Sequence, residues 1–151
     1  MNEDFNIVTE IIPGVYLANN NVASNSNFYV EKGIKGIINC SRDLPFYVQD
    51  LHQLRLNIDD NPSYINEFYK SLNICMEFIN THKPVLIHCF AGMSRSASLY
   101  AAYLIKYHNQ TPASAVQTII NVRPFSFNYG KTFYYADALN KFYSDVHGII
   151  K

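Results

Sequence analysis

One stretch of the chain, residues 85–108, constrains the fold more than any other. It begins with an apolar segment, Val85–His88, that follows Pro84 and is typical of a buried β-strand. A polar loop that contains Cys89 and Arg95 comes next. The residues that follow, 96–108, are apolar around most of a helix circumference, which predicts a deeply buried helix. The order strand, loop and buried helix is characteristic of α/β domains.

Strands and helices alternate on both sides of this unit. β-Branched residues such as Ile37 predict a buried strand over 34–39, and alternating apolar and polar residues predict another over 54–58. A short strand over 14–18 follows a Pro-Gly turn. Helical spacing and capping signals predict helices over 21–32, 65–80, 96–108, 111–122 and 131–146. We therefore expect an α/β domain with a mainly parallel central sheet flanked by helices, and with the polar loop between a strand and a helix.

The composition is that of an ordinary globular protein. The chain has 151 residues, of which 48% are hydrophobic and 16% charged, and we expect one domain over residues 1–151. Twelve basic residues balance twelve acidic ones, so the net charge gives no support for nucleic-acid or membrane binding. The acidic N-terminus argues against a signal or transit peptide, and no apolar run approaches the roughly 18 residues of a membrane span.

The three cysteines, Cys40, Cys75 and Cys89, indicate a reducing environment. Their odd number and irregular spacing do not fit a disulfide framework, and no Cys/His cluster suggests a metal site. We expect a cytoplasmic location, with the nucleus as an alternative. Cys40 and Cys75 lie in apolar stretches and are expected in the core, although either could be a redox partner of Cys89.

The polar loop, which we call the cysteine loop (residues 89–95), has the features of an anion site. Backbone N–H groups at a helix N-terminus bind anions, so the residues that would surround a phosphate are Phe90, Ala91, Gly92, Met93, Ser94 and Arg95. Gly92 allows a tight turn. The guanidinium of Arg95 matches two oxygens of a phosphate.

Cys89 is the candidate nucleophile of this loop. The positive end of the helix dipole favours a thiolate, and the hydroxyl of Ser96 can donate to the sulfur. We expect His88 to orient the loop through hydrogen bonds rather than to act as a base. The alternative is that Cys89 is an inert core residue, but an inert core cysteine would not explain why Gly92 and Arg95 lie next to it in the sequence.

A thiolate that attacks phosphorus also needs an acid for the leaving oxygen. One carboxyl group can donate that proton and later accept one from water. Asp59 and Asp60 follow a predicted strand and precede Asn61-Pro62, so one of them is expected to be the acid and the other an ordinary loop aspartate.

These residues give the chain a family resemblance. It resembles the cysteine-dependent protein phosphatases of the compact dual-specificity type. The signature is His88-Cys89, Gly92 and Ser94-Arg95-Ser96, and weaker likenesses lie at residues 12–17, 36–41, 56–61 and 121–124. The resemblance implies a metal- and cofactor-independent reaction in which Cys89 is the nucleophile, Arg95 binds the phosphate and Ser96 assists hydrolysis of the phosphoenzyme. Counted from Leu56, the family's acid falls on Asp60; counted back from Ile65, it falls on Asp59. We favour Asp60.

The resemblance also implies a substrate class. Phosphoinositide- and RNA-directed relatives tend to have basic cysteine loops, whereas Phe90 and Met93 are neutral. We therefore expect phosphoprotein partners, and a shallow pocket that admits phosphotyrosine, phosphoserine and phosphothreonine. The alternatives are a phosphatase of a phosphoinositide, RNA 5′-phosphate or phosphoglycan, and a non-catalytic module that binds phosphorylated partners. The oligomeric state is unknown from the sequence.

One further basic residue, Arg123, is a candidate neighbour of the pocket. It belongs to an arginine-proline pair at the end of a predicted helix. The alternative is a salt bridge at that helix end. The segment after it, residues 125–130, departs from the family, which often has a proline directly before the asparagine found here at position 128.

Overall fold

A computed structural model describes residues 7–127 and 133–148. Its strands are β1 (Thr9–Glu10), β2 (Val15–Ala18), β3 (Gly36–Asn39), β4 (His52–Arg55) and β5 (Val85–His88). Its helices are α1 (Asn20–Ala23), α2 (Ser26–Lys32), α3 (Ile65–His82), α4 (Arg95–Tyr107), α5 (Pro112–Val122) and α6 (Ala136–His147). A 3₁₀ turn, Pro62–Tyr64, precedes α3.

The five strands form one sheet in the order β1-β2-β5-β3-β4. Only the short edge strand β1 is antiparallel to its neighbour, and the other pairings are parallel. In this register Ala18, His88 and Asn39 lie side by side at the ends of β2, β5 and β3. The carboxyl ends of the parallel strands therefore meet at one edge, where α/β sheets usually bind ligands. The predicted α/β architecture is confirmed.

Helices cover both faces of the sheet. Alternate strand residues such as Leu17, Ile38 and Ile87 belong to a core shared with α3, α4, α5 and α6. The residues between them, such as Ile37 and Leu86, pack on the other face against α2. Continuous apolar runs such as β5 are expected where both faces of a parallel sheet are buried.

Strand β4 lies two to three residues earlier in the chain than the predicted strand over 54–58. The backbone N–H of Leu56 still donates to the Asn39 carbonyl at 2.9 Å, but β4 itself ends at Arg55. Leu56 and Ile58 are nonetheless buried, at 3% and 1% exposure, in the core under the sheet. The alternation at 54–58 therefore reflects burial beyond the end of the strand.

The helix predicted over 21–32 is two short helices. The chain leaves α1 at Ser24, and Asn25 then caps α2 by accepting a hydrogen bond from the Asn27 N–H at 3.1 Å. Asparagine side chains compete with helical backbone bonding in this way. Gly33 ends α2 in the left-handed conformation, as predicted.

Near the two ends of the chain the structure also differs from the sequence-based predictions. Strand β1, too short for a periodicity signal, was not predicted. The last helix begins at Ala136 rather than at position 131, and positions 131–132 lie outside the described residues. Among the helices of the two described ranges, none combines the length and apolar character needed to cross a membrane.

Candidate active site

The cysteine loop lies at the carboxyl edge of the sheet, between β5 and α4. Segments that follow the two neighbouring strands contact it and the end of β5. After β3, the Cys40 N–H donates to the His88 carbonyl at 2.7 Å, and at the start of α1, which follows β2, the Asn20 N–H donates to the Phe90 carbonyl at 2.9 Å. The loop is thus anchored to the carboxyl edge of the sheet, and a site supported in this way is rigid.

Cys89 lies at the bottom of the loop and is 2% exposed. Its Sγ is 3.1 Å from the Oγ of Ser96, and the Gly92 N–H donates to it at 3.3 Å. Arg95 is the first residue of α4, so the sulfur also lies at the positive end of that helix. Hydrogen bonds and a helix N-terminus both favour the charged form of a thiol.

Gly92 allows the backbone to turn at the centre of the loop. Its φ is +68°, and an added Cβ would lie 2.6 Å from the Nη2 of Arg123 and 2.8 Å from the Ala18 carbonyl oxygen. Both the conformation and the space therefore require glycine. The neighbouring Phe90 is 66% exposed, whereas Ala91 and Met93 are half-buried.

The two candidate acids have different partners. The carboxylate of Asp59 accepts a hydrogen bond from the Nε of Arg42 at 2.7 Å in a salt bridge. The Oδ1 of Asp60 instead accepts a hydrogen bond from the Oγ of Ser94 at 3.1 Å, inside the cysteine loop. The structure therefore brings the carboxyl group of Asp60 to the loop and directs that of Asp59 to Arg42.

Further contacts join the aspartate loop to the rest of the site. The Nη1 of Arg95 donates to the Ile58 carbonyl at 3.3 Å. The hydroxyl of Tyr135, which directly precedes α6, donates to the Asp59 carbonyl, and its ring stacks on Phe68 with centroids 4.6 Å apart. These contacts fix the backbone on which Asp60 is carried.

His88 is buried at the end of β5, with 1% exposure. Burial lowers its pKa to about 4, so the imidazole is neutral near pH 7. A backbone hydrogen bond with Cys89 acts in the opposite direction but is the smaller effect. So low a pKa makes His88 a weak base, and its Nδ1 is buried with no hydrogen-bond partner among the described residues, so the expected orienting role stays a prediction.

Cys40 and Cys75 are core residues, as predicted. Both are 0% exposed, and neither forms a disulfide. Burial raises the pKa of the Cys40 thiol well above its ordinary value and that of Cys75 to about 12. Neither thiol is therefore ionised near neutral pH.

Arg123 follows α5 and lies beneath the cysteine loop. It is 1% exposed, and its Nε donates to the Gly92 carbonyl at 2.9 Å. No salt bridge of Arg123 is found within the described ranges, so the alternative of an ion pair at the helix end is wrong for that part of the chain.

Sequence reasoning missed the residues that hold the aspartate loop, Arg42 and Tyr135. Arg42 comes three residues after β3 and Asp59 four residues after β4, and these parallel strands are neighbours, so their topology could have suggested the pair. Tyr135 is 76 residues from Asp59, and no local pattern indicates that contact. Within the described residues, no group of His, Cys, Asp and Glu is suited to hold a metal ion.

The arrangement suits transfer of a phosphoryl group to sulfur. It combines a hydrogen-bonded cysteine, the N-terminus of α4, the guanidinium of Arg95 and an exposed carboxyl group around one loop. Such donors stabilise charge that develops on phosphoryl oxygens, and the carboxyl group can transfer a proton.

Comparisons with known proteins agree with this chemistry. A family model, "Dual specificity phosphatase, catalytic domain", matches residues 15–143. Dual specificity protein phosphatase 1 of Arabidopsis thaliana is 32% identical over 126 residues, which are 80% of this chain and 63% of the relative. Human dual specificity protein phosphatase 14 is 29% identical over 124 residues, again 80% of this chain and 63% of the relative.

A solved structure also resembles the fold. The crystal structure of DUSP15 superposes with a TM-score of 0.79 at 23% identity, over 97% of this chain and 98% of that one. At this identity the likeness concerns the fold alone. The chain spans less than two thirds of the length of the two curated relatives described above.

Proposed function

The chain belongs to the family of dual specificity phosphatase catalytic domains, and on this basis we propose that it hydrolyses phosphotyrosine, phosphoserine and phosphothreonine in proteins. One observation carries the proposal. The Cys89 sulfur has hydrogen bonds with the Gly92 N–H and the Ser96 hydroxyl, and Ser94 of the same loop donates to the carboxyl group of Asp60. The proposed nucleophile and the proposed acid therefore both have hydrogen-bond partners in the cysteine loop.

The first step transfers the phosphoryl group to the enzyme. The Cys89 thiolate attacks phosphorus, an S–P bond forms, and the P–O bond to the substrate side chain breaks. Asp60 donates its proton to the leaving oxygen, so the product is a neutral hydroxyl group. The loop N–H groups and the Arg95 guanidinium bind the oxygens of the phosphoryl group during transfer.

The second step releases phosphate. Water attacks the phosphocysteine, Asp60 accepts a proton from that water, and the S–P bond breaks to give back the thiolate. The Oγ of Ser96 is 3.1 Å from the sulfur and can donate a hydrogen bond to it as it leaves. That bond favours departure of the thiolate because it stabilises negative charge on sulfur.

The surface around the loop supports a phosphoprotein substrate. Phe90 on the rim is 66% exposed and Asp60 is exposed, which supports the expectation of an open, shallow site. A shallow site admits the short side chains of phosphoserine and phosphothreonine as well as phosphotyrosine. The neutral side chains of Phe90 and Met93 favour a peptide over a highly charged inositol phosphate.

We further propose a single catalytic domain and a reducing compartment, the cytoplasm or the nucleus. The nucleophile must be a free thiol, and all three cysteines are free in the structure. The family match over residues 15–143 supports one catalytic domain.

A substrate panel tests the proposal. Wild type and Cys89→Ser are assayed without metal on phosphotyrosine and phosphothreonine peptides, phosphoinositides and a 5′-phosphorylated RNA. We expect the phosphopeptides to be the best substrates and Cys89→Ser to have no activity. If a phosphoinositide or the RNA were the best substrate, the proposed phosphoprotein substrate class would be wrong. Unchanged turnover by Cys89→Ser would refute the mechanism.

A further inference from the structure

The most unusual buried group outside the residues assigned above is the guanidinium of Arg123. It is the largest of the fully buried side chains, and burial of an unpaired charge is unfavourable by several kcal/mol. Natural proteins therefore give a buried arginine an anionic partner. The question is which group fulfils that role here.

Among the residues that the structure describes, the hydrogen-bond acceptors of Arg123 are all neutral. Nε donates to the Gly92 carbonyl at 2.9 Å, and Nη1 donates to the Ile7 carbonyl at 2.5 Å and to the Thr9 hydroxyl at 3.0 Å. The face of the guanidinium lies over the Phe125 ring, 4.6 Å from its centroid. Within residues 7–127 and 133–148 it has no carboxylate partner.

The remaining nitrogen, Nη2, is buried and has no hydrogen-bond partner among the described residues. It packs against Gly92, because a Cβ at that position would lie only 2.6 Å from it. Burial lowers the pKa of Arg123 to about 10, and a negative charge on Cys89 would act against this and raise it. Gly92 links the two residues, because its carbonyl accepts from Arg123 and its N–H donates to the Cys89 sulfur. Within the described residues, Cys89 is therefore the candidate anionic counterpart of the guanidinium.

Such an interaction is mutual. If a thiolate at Cys89 favours the charged form of Arg123, the charge of Arg123 favours the thiolate by the same free energy. The hydrogen bond from Arg123 has a second effect, because it fixes the backbone of Gly92 at its carbonyl. The N–H of the same residue donates to the Cys89 sulfur at 3.3 Å.

We propose that Arg123 is a positioning residue for the nucleophile, supplying from beneath the cysteine loop the buried positive charge that keeps Cys89 a thiolate and orienting the Gly92 backbone toward the sulfur. This inference rests on the proposed function, because it takes Cys89 to be the nucleophile. It adds a cation to the Arg95 side chain and the α4 N-terminus, which act from the substrate side.

The pH dependence of Cys89 alkylation by iodoacetamide tests the proposal. The rate follows the thiolate fraction, and no substrate is needed, so a protein inactive on phosphopeptides would still report on Arg123. Removal of a nearby opposite charge shifts an ionisation by roughly one pH unit or more, so we expect Arg123→Met to raise the alkylation midpoint by that amount and to slow alkylation below it about tenfold. Arg123→Lys, which keeps the charge, should shift the midpoint less.

Thr9→Val is the matched control. It removes a neutral partner of Arg123 at nearly constant volume and keeps the guanidinium. It should lower the melting temperature without moving the alkylation midpoint. The other ionisable groups around the sulfur, His88, Cys40, Arg95 and Asp60, are the same in all variants, so differences between them report on Arg123.

If Arg123 only stabilises the fold, its replacement should not change the alkylation midpoint of Cys89. A folded Arg123→Met protein with the wild-type alkylation midpoint would overturn the proposal. If that variant does not fold, NMR of ¹⁵N-arginine-labelled wild type and Cys89→Ser decides. We expect the Nε–H signal of Arg123 to titrate at the alkylation midpoint in wild type but not in Cys89→Ser, and a signal that does not respond in wild type would refute the coupling.

Discussion

The replacement of Asp60 by asparagine gives the sharpest prediction about the acid. The two neighbouring aspartates differ in what they contact: Asp60 accepts a hydrogen bond from Ser94 in the cysteine loop, and Asp59 forms a salt bridge with Arg42 at 2.7 Å. Asparagine keeps the shape of either side chain and removes its proton transfer. Asp59→Asn is therefore the matched control for Asp60→Asn.

The expected losses of kcat differ clearly between the two variants. General acid catalysis contributes about 10²- to 10⁴-fold, so Asp60→Asn should lower kcat on a phosphotyrosine peptide at least about 100-fold, or about 2.7 kcal/mol. Asp59 and Arg42 are 31% and 53% exposed. A pair of this kind is worth about 0–1 kcal/mol, so Asp59→Asn should lower kcat no more than about fivefold.

Steady-state kinetics with two leaving groups provide the assay. Tyrosine is a poor leaving group without a proton, whereas nitrophenolate leaves readily. Asp60→Asn should therefore lose much less activity on nitrophenyl phosphate than on the peptide, and the pH dependence due to the acid should disappear from its rate profile. A large loss for Asp59→Asn with a small one for Asp60→Asn would refute the assignment.

Three further predictions concern the surroundings of the loop. Gly92→Ala should lower the free energy of unfolding by about 3 kcal/mol in a urea titration, because its Cβ would overlap Arg123 and its φ is +68°. Tyr135→Phe keeps the buried ring but removes the hydrogen bond to the Asp59 carbonyl. Turnover of a phosphotyrosine peptide should fall about 3- to 10-fold, with a smaller effect on nitrophenyl phosphate; equal effects would contradict a role in placing the acid. For His88, the folded pKa of about 4 lies below the unfolded value of 6.5, so the unfolded state binds more protons between these values. Wild type should therefore lose up to about 3 kcal/mol of stability, relative to His88→Asn, as the pH falls from 6.5 to 4, and parallel curves would show that His88 is not buried as described.

The elements that the sequence predicted most accurately are those with continuous apolar character. Strand β5 and the start of α4 are correct to within one residue, because a strand buried on both faces and a deeply buried helix both require continuous apolar character. The alternation at Leu54, Leu56 and Ile58 predicted a strand through Ile58, whereas β4 ends at Arg55 and the last two side chains are buried beyond its end. Burial and pairing give the same pattern in a single sequence.

The sequence predicted the site residues that lie close together in the chain, but not the contacts between residues far apart in it. The spacing of Cys89, Arg95 and Ser96 is local, and the structure keeps them around one loop. Which aspartate faces that loop depends on contacts with Arg42 and Ser94, 17 and 34 residues away. Counting residues from Leu56 indicated Asp60 as the acid, and counting back from Ile65 indicated Asp59. The length of the loop alone does not determine which of the two side chains faces the cysteine loop.

The role of Arg123 also depends on contacts between residues far apart in the sequence. Its partners Gly92 and Ile7 are 31 and 116 residues distant, so the sequence could suggest only that this arginine lies near the pocket or in a salt bridge. The burial of its charge without a carboxylate partner in the described residues is a property of the folded structure.

The central claim is that catalysis passes through phosphorus bound to Cys89. Rapid acid quench of the enzyme during turnover of a phosphotyrosine peptide, followed by mass spectrometry of proteolytic fragments, tests it most directly. We predict a phosphoryl group on the fragment that contains Cys89, formed in a burst and absent from Cys89→Ser. Full turnover with no phosphorylated Cys89 fragment at any quench time would contradict the account.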